Sequence, residues 1–445
     1  LKADSTVMRD ERVSVQLASD VPVDDTLLAT LNQFHFKSLK LQKKAVSPHV
    51  LKYMNKVDQN DHSSTYMLRG MEAAGKANVQ RLLKKDYLGM IGRHFNIYLK
   101  QSGRIRLGKA MNKDQLEPAV DILADEFEED MVRHFGLTSF SPSRKFAVAI
   151  THDVDYVGNY PIANLKSGLV FLVNSLRTVM RPRLSMFYLK AAFRFLFGQV
   201  NYYGFDDILK IAKQNDFRPV FFLFAKLPQG NKLGPLQRLR FLNPNYSLEN
   251  HDLSRAMKAI TEANAEIGLH GSYMSADDPD LLTAEKEYLE HKTGHACQSI
   301  RQHYLNIYGR ISHEIYSRIG IQVESTCGFI SENGYLCSTT RPFYAVLPGH
   351  GQNQVIVLPM VFMDAVPLYF RPENTAEVFA QLRKTLHWLK QFNGFAAFNF
   401  HQRVISCFPE YKKLYEDIVS EIRDMGGKIA TTTEIEKLYP PCTDV

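Results

Sequence analysis

Phe146-Ala-Val-Ala-Ile-Thr-His-Asp-Val-Asp155 is the stretch from which the rest of this chain is read. Ala147 to Ile150 form the unbroken apolar run expected of a strand covered on both faces. The run ends in His152, Asp153 and Asp155, which put one imidazole and two carboxylates within four positions. In an extended chain, residues two apart point to the same side, so Asp153 and Asp155 can serve one site, one as a metal ligand and the other as a proton acceptor. Turn chemistry alone also places Asp and His after strands, so the cluster needs partners elsewhere before it reads as catalytic.

Those partners recur at the ends of later apolar runs. Strands are expected at 146–152, 219–225, 266–270, 299–304, 322–325, 355–362, 395–401 and 428–431, and helices at 206–214, 253–264, 281–292, 312–319, 373–391 and 410–425. Such alternation predicts parallel strands joined by helical crossovers, in a barrel or a doubly wound sheet. His152, His270 and His401 all close strands, which inclines the choice towards a barrel, because a barrel gathers its strand ends into one mouth. His270 is followed by small residues in Glu266-Ile-Gly-Leu-His-Gly-Ser-Tyr273. Arg301 and His303 lie two apart, Asp364 follows the 355–362 run, and His401 ends Phe398-Asn-Phe-His401.

The 445 residues allow two or three domains at roughly 150 residues each. A hydrophobic content of 45% and a charged content of 23% are those of an ordinary globular chain. Residues 1–135 read as a smaller basic N-terminal α+β domain: 36–113 carry seventeen Lys and Arg against four acids. Residues 136–145 read as a linker and 146–445 as the second domain, with a helical insertion at 156–205. That insertion has no Asp or Glu but six Lys and Arg among Leu, Phe, Val and Met, which suits either a lid over the mouth or contact with a membrane surface. The net charge of +7 permits an anionic partner, yet basic charge without a recognition motif does not predict nucleic-acid binding. Five scattered cysteines without CxxC spacing argue against a disulfide scaffold and for a reducing compartment. No leader or spanning run of ~18 apolar residues is visible, so the expectation is a cytoplasmic protein, peripheral to the membrane if the insertion binds one.

Taken in order, Thr151–Asp155, the EIGLHGSY segment at 266–273, the RQHYL segment at 301–305, Gly334-Tyr-Leu-Cys-Ser-Thr-Thr-Arg-Pro-Phe343, Met363-Asp364 and the His401 strand resemble the motifs of the polysaccharide deacetylase superfamily. The resemblance is to a divergent branch of these carbohydrate esterase family 4-like proteins, and it covers roughly 146–439. It implies a partial (β/α) barrel of about seven parallel strands and a divalent metal, usually zinc, used to remove acetyl groups from carbohydrates. By the same resemblance Asp153 is the base and Asp155 a metal ligand, assignments that could be exchanged. His270 would be a second ligand, Arg301 the residue orienting the base, and His401 the acid or the stabiliser of the leaving amine. Asp364 would orient His401 or, as the lesser choice, bind a sugar hydroxyl.

Two departures stand out. Val154 separates carboxylates that the family has adjacent, and Met274 stands where the family has another His. Met is a poor zinc ligand, so a third ligand is needed; His303 is the first candidate and His152 the reserve. The expected activity is N-deacetylation, a hydrolysis of a carbon–nitrogen bond other than a peptide bond, on a surface polysaccharide or its nucleotide- or lipid-linked precursor. Met274 supports the alternative, a catalytically inactive carbohydrate-binding or scaffold protein that retains the barrel.

Overall fold

The computed structural model describes residues 116–122, 125–126, 145–158, 160–227, 246–345 and 355–438. The basic segment and most of the linker lie outside them. Strand β1 (Ala147–Val154) is buried along its whole length, as its apolar run requires. One edge pairs in parallel with β9 (Phe395–Asn399). The other is divided: its first two residues pair with β10 (Lys428–Ile429), its last four with β2 (Val220–Leu223). The sheet continues through β3 (Glu266–Gly271), β4 (Ser299–Gln302), β5 (Val323–Glu324) and β7 (Val355–Val357), with β8 (Met360–Met363) outside β9 at the opposite end. All these pairings are parallel; β6 (Phe343–Ala345), on the outer edge of β7, is antiparallel.

The run 355–362, expected as one strand, is two strands at opposite ends of the sheet. Only Leu358 and Pro359 separate them, and Pro359 has no N–H to continue a ladder. Three Cα steps span at most about 11 Å, so the two ends of the sheet must lie close together. The sheet is therefore curled into a partial barrel, bridged covalently where β7 runs into β8. Among the described residues there are ten strands against the seven or so expected, the additions being this division and the three-residue β6.

Helices cover the outside of the curl, among them α3 (Phe205–Gln214), α4 (His251–Glu262), α5 (Pro279–Thr293), α6 (Arg310–Arg318), α7 (Thr375–Gln391) and α9 (Pro409–Asp424). Their ends follow local chemistry. Asp278 caps α5 by accepting from the Leu281 N–H, Gly294 ends it in the left-handed region, and Asn374 with Glu377 forms a capping box on α7. Residues 116–122 pack on the same barrel: Val120 is buried, and the Asp121 carboxylate accepts from the Thr339 hydroxyl at 2.8 Å and the Thr340 N–H at 2.6 Å.

The acid-free insertion forms α1 (Pro161–Arg177) and α2 (Pro182–Leu196), packed together. Gly168 permits this approach, since a Cβ there would lie 2.6 Å from Leu196 Cγ. Asn174 Nδ2 donates to the Leu368 carbonyl at 3.1 Å and the Tyr188 hydroxyl to the Pro367 carbonyl at 2.6 Å. Phe171 joins Phe195, Tyr369 and Phe408 in one aromatic cluster. These contacts fasten the hairpin to the segments that leave β8 and β9.

Glu285 of α5 is fully buried and accepts from the Ser272 N–H at 3.1 Å, just beyond β3. Burial pushes its carboxyl up to about 7 from 4.5. The folded chain thus keeps a proton that the unfolded chain releases first, so stability falls as pH rises from about 4.5 to about 7, by roughly 3 kcal/mol. Glu285→Gln should flatten this dependence in urea unfolding at about pH 5 and about pH 8; an equally steep variant would assign the window to another group.

Candidate metal centre

Because neighbouring strands are parallel, their C-terminal ends share one side of the sheet, and there the candidate residues meet. Asp153 lies on β1, Asp155 just past it, His270 on β3 and Arg301 on β4; Asp364 and His401 follow β8 and β9. His303 reaches the group differently from expected. Strand β4 stops at Gln302, and Tyr304 and Leu305 are both left-handed, with φ of 56° and 49°, so a sharp turn rather than strand parity aims the imidazole. Asn306 pins the turn by donating to the Tyr273 carbonyl at 2.6 Å.

Asp155, His270 and His303 are buried, and one ligand atom from each lies within 4.8 Å of the others. Asp155 Oδ1 stands 3.5 Å from His270 Nε2 and 3.7 Å from His303 Nε2. Neither Asp155 Oδ1 nor His270 Nε2 has a hydrogen bond of normal geometry among the described residues. Burial works to lower His270, but Asp153 and Asp155 raise it above the ordinary imidazole value, so a proton or a cation between the two atoms offsets the cost of burying them. His270 Nδ1 donates to the Arg301 carbonyl at 2.9 Å, which turns the Nε2 lone pair to the cluster. Burial lowers His303 to about 3 despite Asp155, so its imidazole is neutral and able to ligate. Burial works to raise Asp155, but Arg403, His270, His401 and His303 hold it well below the usual carboxylate range. One carboxylate and two imidazoles with an open side fit a divalent cation.

Beside the cluster, Asp153 is held at both oxygens: Arg301 Nη1 donates to Oδ1 and Asn399 Nδ2 to Oδ2, each at 2.9 Å. Burial opposes its ionisation, yet Arg301, with His270 and His401, keeps its pKa below the ordinary value. Arg301 is itself buried over the Phe222 ring and donates further to Thr151 Oγ1, the Ser325 carbonyl and Ser325 Oγ. On the other flank Asp364 grips His401 twice, accepting from Nδ1 at 2.5 Å and from the backbone N–H at 2.8 Å. That leaves His401 Nε2 facing inward, 3.6 Å from Asp155 Oδ2.

His152, the reserve ligand, is not part of the group. Its side chain emerges on the opposite face of β1, where Nδ1 meets the Phe400 carbonyl at 2.7 Å and Nε2 the Tyr415 hydroxyl at 3.2 Å. Burial lowers it to about 3. Met274 begins a short turn after β3 and is not among the residues lining the cavity over the cluster.

Arg403 was not anticipated. Its side chain is 11% exposed, bonds Asp155 Oδ2 directly and lies over the Tyr156 ring. The signal was its place two residues after His401, in the first turn of α8 (Gln402–Cys407). Asn399 was equally readable, two residues before His401 and on the same side of the strand. A cavity of about 420 Å³ opens over Asp153, Asp155, His270, His303, His401 and Arg403, walled by Tyr156, Tyr202, Tyr304 and Tyr369 and, on α1, by Ala163, Lys166, Ser167 and Val170.

No protein-family model matches the chain. No curated protein matches it. Solved structures do. A Mycobacterium smegmatis protein described as a polysaccharide deacetylase is similar at 15% identity and a TM-score of 0.42, over 67% of this chain and 92% of that one. Puue allantoinase is similar at 14% identity and a TM-score of 0.43, over 66% and 90%. The Bacillus anthracis protein BA3943, a CE4 family pseudoenzyme, is similar at 12% identity and a TM-score of 0.34, over 66% of each chain.

Arg301→Ala would leave Asp153 charged and buried without its main partner. It should destabilise the fold by about 3–5 kcal/mol, read as a lowered urea midpoint. A loss near zero would mean that water replaces the guanidinium.

Proposed function

We propose that the chain is a metal-dependent N-deacetylase acting on an acetylated sugar of a surface polysaccharide or of its nucleotide- or lipid-linked precursor, with zinc as the cation. The observation that carries this reading is the pair of orphaned atoms, Asp155 Oδ1 and His270 Nε2, beside His303 and between two prepared proton-transfer groups. A zinc ion at Asp155, His270 and His303 would supply Lewis acidity, polarising the acetyl carbonyl and acidifying water.

The remaining work falls to the protein. Asp153, kept ionised and aimed by Arg301 and Asn399, takes a proton from the attacking water. The water oxygen bonds to the acyl carbon, the carbon–nitrogen bond breaks, and His401 Nε2 delivers a proton to the departing nitrogen. Asp364 takes the Nδ1 hydrogen bond and so orients His401; the proton that Nε2 delivers is the second one of the doubly protonated ring, whose charge the Asp364 carboxylate faces. The products are acetate and a free amino sugar. Tyrosine rings around the cavity offer flat apolar faces to a sugar, and about 420 Å³ is within the range of small-ligand sites.

A second reading, an inactive carbohydrate-binding protein, draws on Arg403. Its guanidinium already neutralises Asp155 and competes with a cation for that carboxylate. Metal content separates the two: the enzyme should hold about one equivalent of zinc that chelation removes together with activity.

Acetate release from N-acetylated oligosaccharides and sugar nucleotides is the direct assay. Asp155→Ala and His270→Ala should each lower it at least ~100-fold; wild-type rates in both would overturn the site. His401→Ala should cost about 10²–10⁴-fold, and adding Asp364→Ala should cost little more, since the two act as one unit.

A further inference from the structure

The α1–α2 hairpin carries an outward apolar face that the barrel does not use. At about 100° per residue, Ile162, Leu165, Leu169, Val173 and Leu176 fall in an arc of about 80° on the side of α1 opposite its buried Phe171 and Ser175. All five are more than half exposed, and the stripe runs on into Val179 and Met180, which is 90% exposed at the hairpin tip. On α2 the exposed Met186, Phe193 and Phe197 share one face with Arg183 and Lys190, and the last two rings stack on each other. Isolated exposed apolar residues are ordinary; an exposed apolar stripe on each of two packed helices marks a contact surface.

Its charge indicates the occupant. No acidic residue occurs between 156 and 205, and Lys166 and Arg177 flank the stripe on α1. Arg181 is paired with Glu377 and Arg177 donates to the Phe370 carbonyl, which leaves Arg183 and Lys190 on the face itself. The basic 36–113 segment is a poor electrostatic match for such a face, and so is a second copy of it. Apolar side chains bordered by cations suit the boundary between acyl chains and anionic headgroups. No described helix is long and apolar enough to cross a membrane, so the fit is to the surface.

The same helix walls the cavity. Ala163, Ser167 and Val170 face it, and Lys166 stands on the border between cavity and stripe. We propose that the hairpin rests on an anionic lipid surface, with the cavity mouth beside it, so that the acetylated sugar is taken from a carrier embedded in that surface. The second half of this proposal rests on the deacetylase reading; the first does not.

The test uses the full chain with equimolar phosphatidylcholine–phosphatidylglycerol vesicles and with phosphatidylcholine vesicles alone. The protein should sediment with the anionic vesicles only, and added salt should weaken the binding. The Leu165→Glu, Leu169→Glu, Val173→Glu triple variant should bind at least about tenfold less, with an unchanged circular dichroism melt because these side chains are exposed. Release of acetate from a vesicle-borne N-acetylated glycolipid should fall with it, while release from a soluble N-acetylated sugar stays constant. Absence of wild-type binding, undiminished binding by the variant, or a solution dimer that the variant dissociates would overturn the docking surface. An equal loss on both substrates would overturn delivery. Vesicle binding without turnover of either substrate would uphold the surface and count against the deacetylase reading alone.

Discussion

The buried ion pair between Arg301 and Asp153 is the constraint on which the mouth of this barrel depends. A guanidinium with no exposure is tolerable only if its hydrogen-bond donors are used and its charge is met, and here they serve Asp153, Thr151 and Ser325. The pair therefore fixes the distances among β1, β4 and the chain leaving β5. Apolar residues of equal volume could hold those strands as firmly. What they could not do is keep Asp153 ionised in a dry place with its oxygens aimed, and this makes the arrangement suited to chemistry more than to stability. Asn399 completes it from the far side, so β9 is drawn into the same network.

Arg403 introduces a second ion pair with an opposite bearing on the site. Arg403 meets the charge of Asp155 as Arg301 meets that of Asp153. A dication beside two such pairs would add positive charge that they do not balance. Such a site holds its cation less tightly than bare carboxylates would, and it favours a negatively charged ligand near the reacting group.

Much of the site was legible because polar residues that end buried strands have few alternative explanations. Asp153, Asp155, His270, Arg301, Asp364 and His401 interrupt or follow apolar runs, and parallel topology carries such ends to one side. His303 was selected for its nearness to Arg301, but the turn that brings it in leaves no pattern in the sequence, since Tyr and Leu are unusual left-handed residues. His152 shows the limit of composition: it differs from its neighbours only in parity, and parity put it in the core. The division of 355–362 was signalled by Pro359, yet only closure of the sheet reveals that the halves belong at opposite ends. Strand β6 is three residues long and pairs against the prevailing direction, so no periodicity could announce it. Arg403 is less legible, because a basic residue at a helix start reads as solvent-facing.

The turn at Tyr304 and Leu305 has a further consequence. Two adjacent side-chain-bearing residues in the left-handed region cost of the order of 1–2 kcal/mol each, a strain that glycine would relieve. Selection for robustness alone would have softened this corner. The strain lies beside an imidazole aimed at Asp155, so the corner gives up some stability and holds that ring in place. Relaxing this loop to make the protein hardier would release the His303 ring from its place beside Asp155.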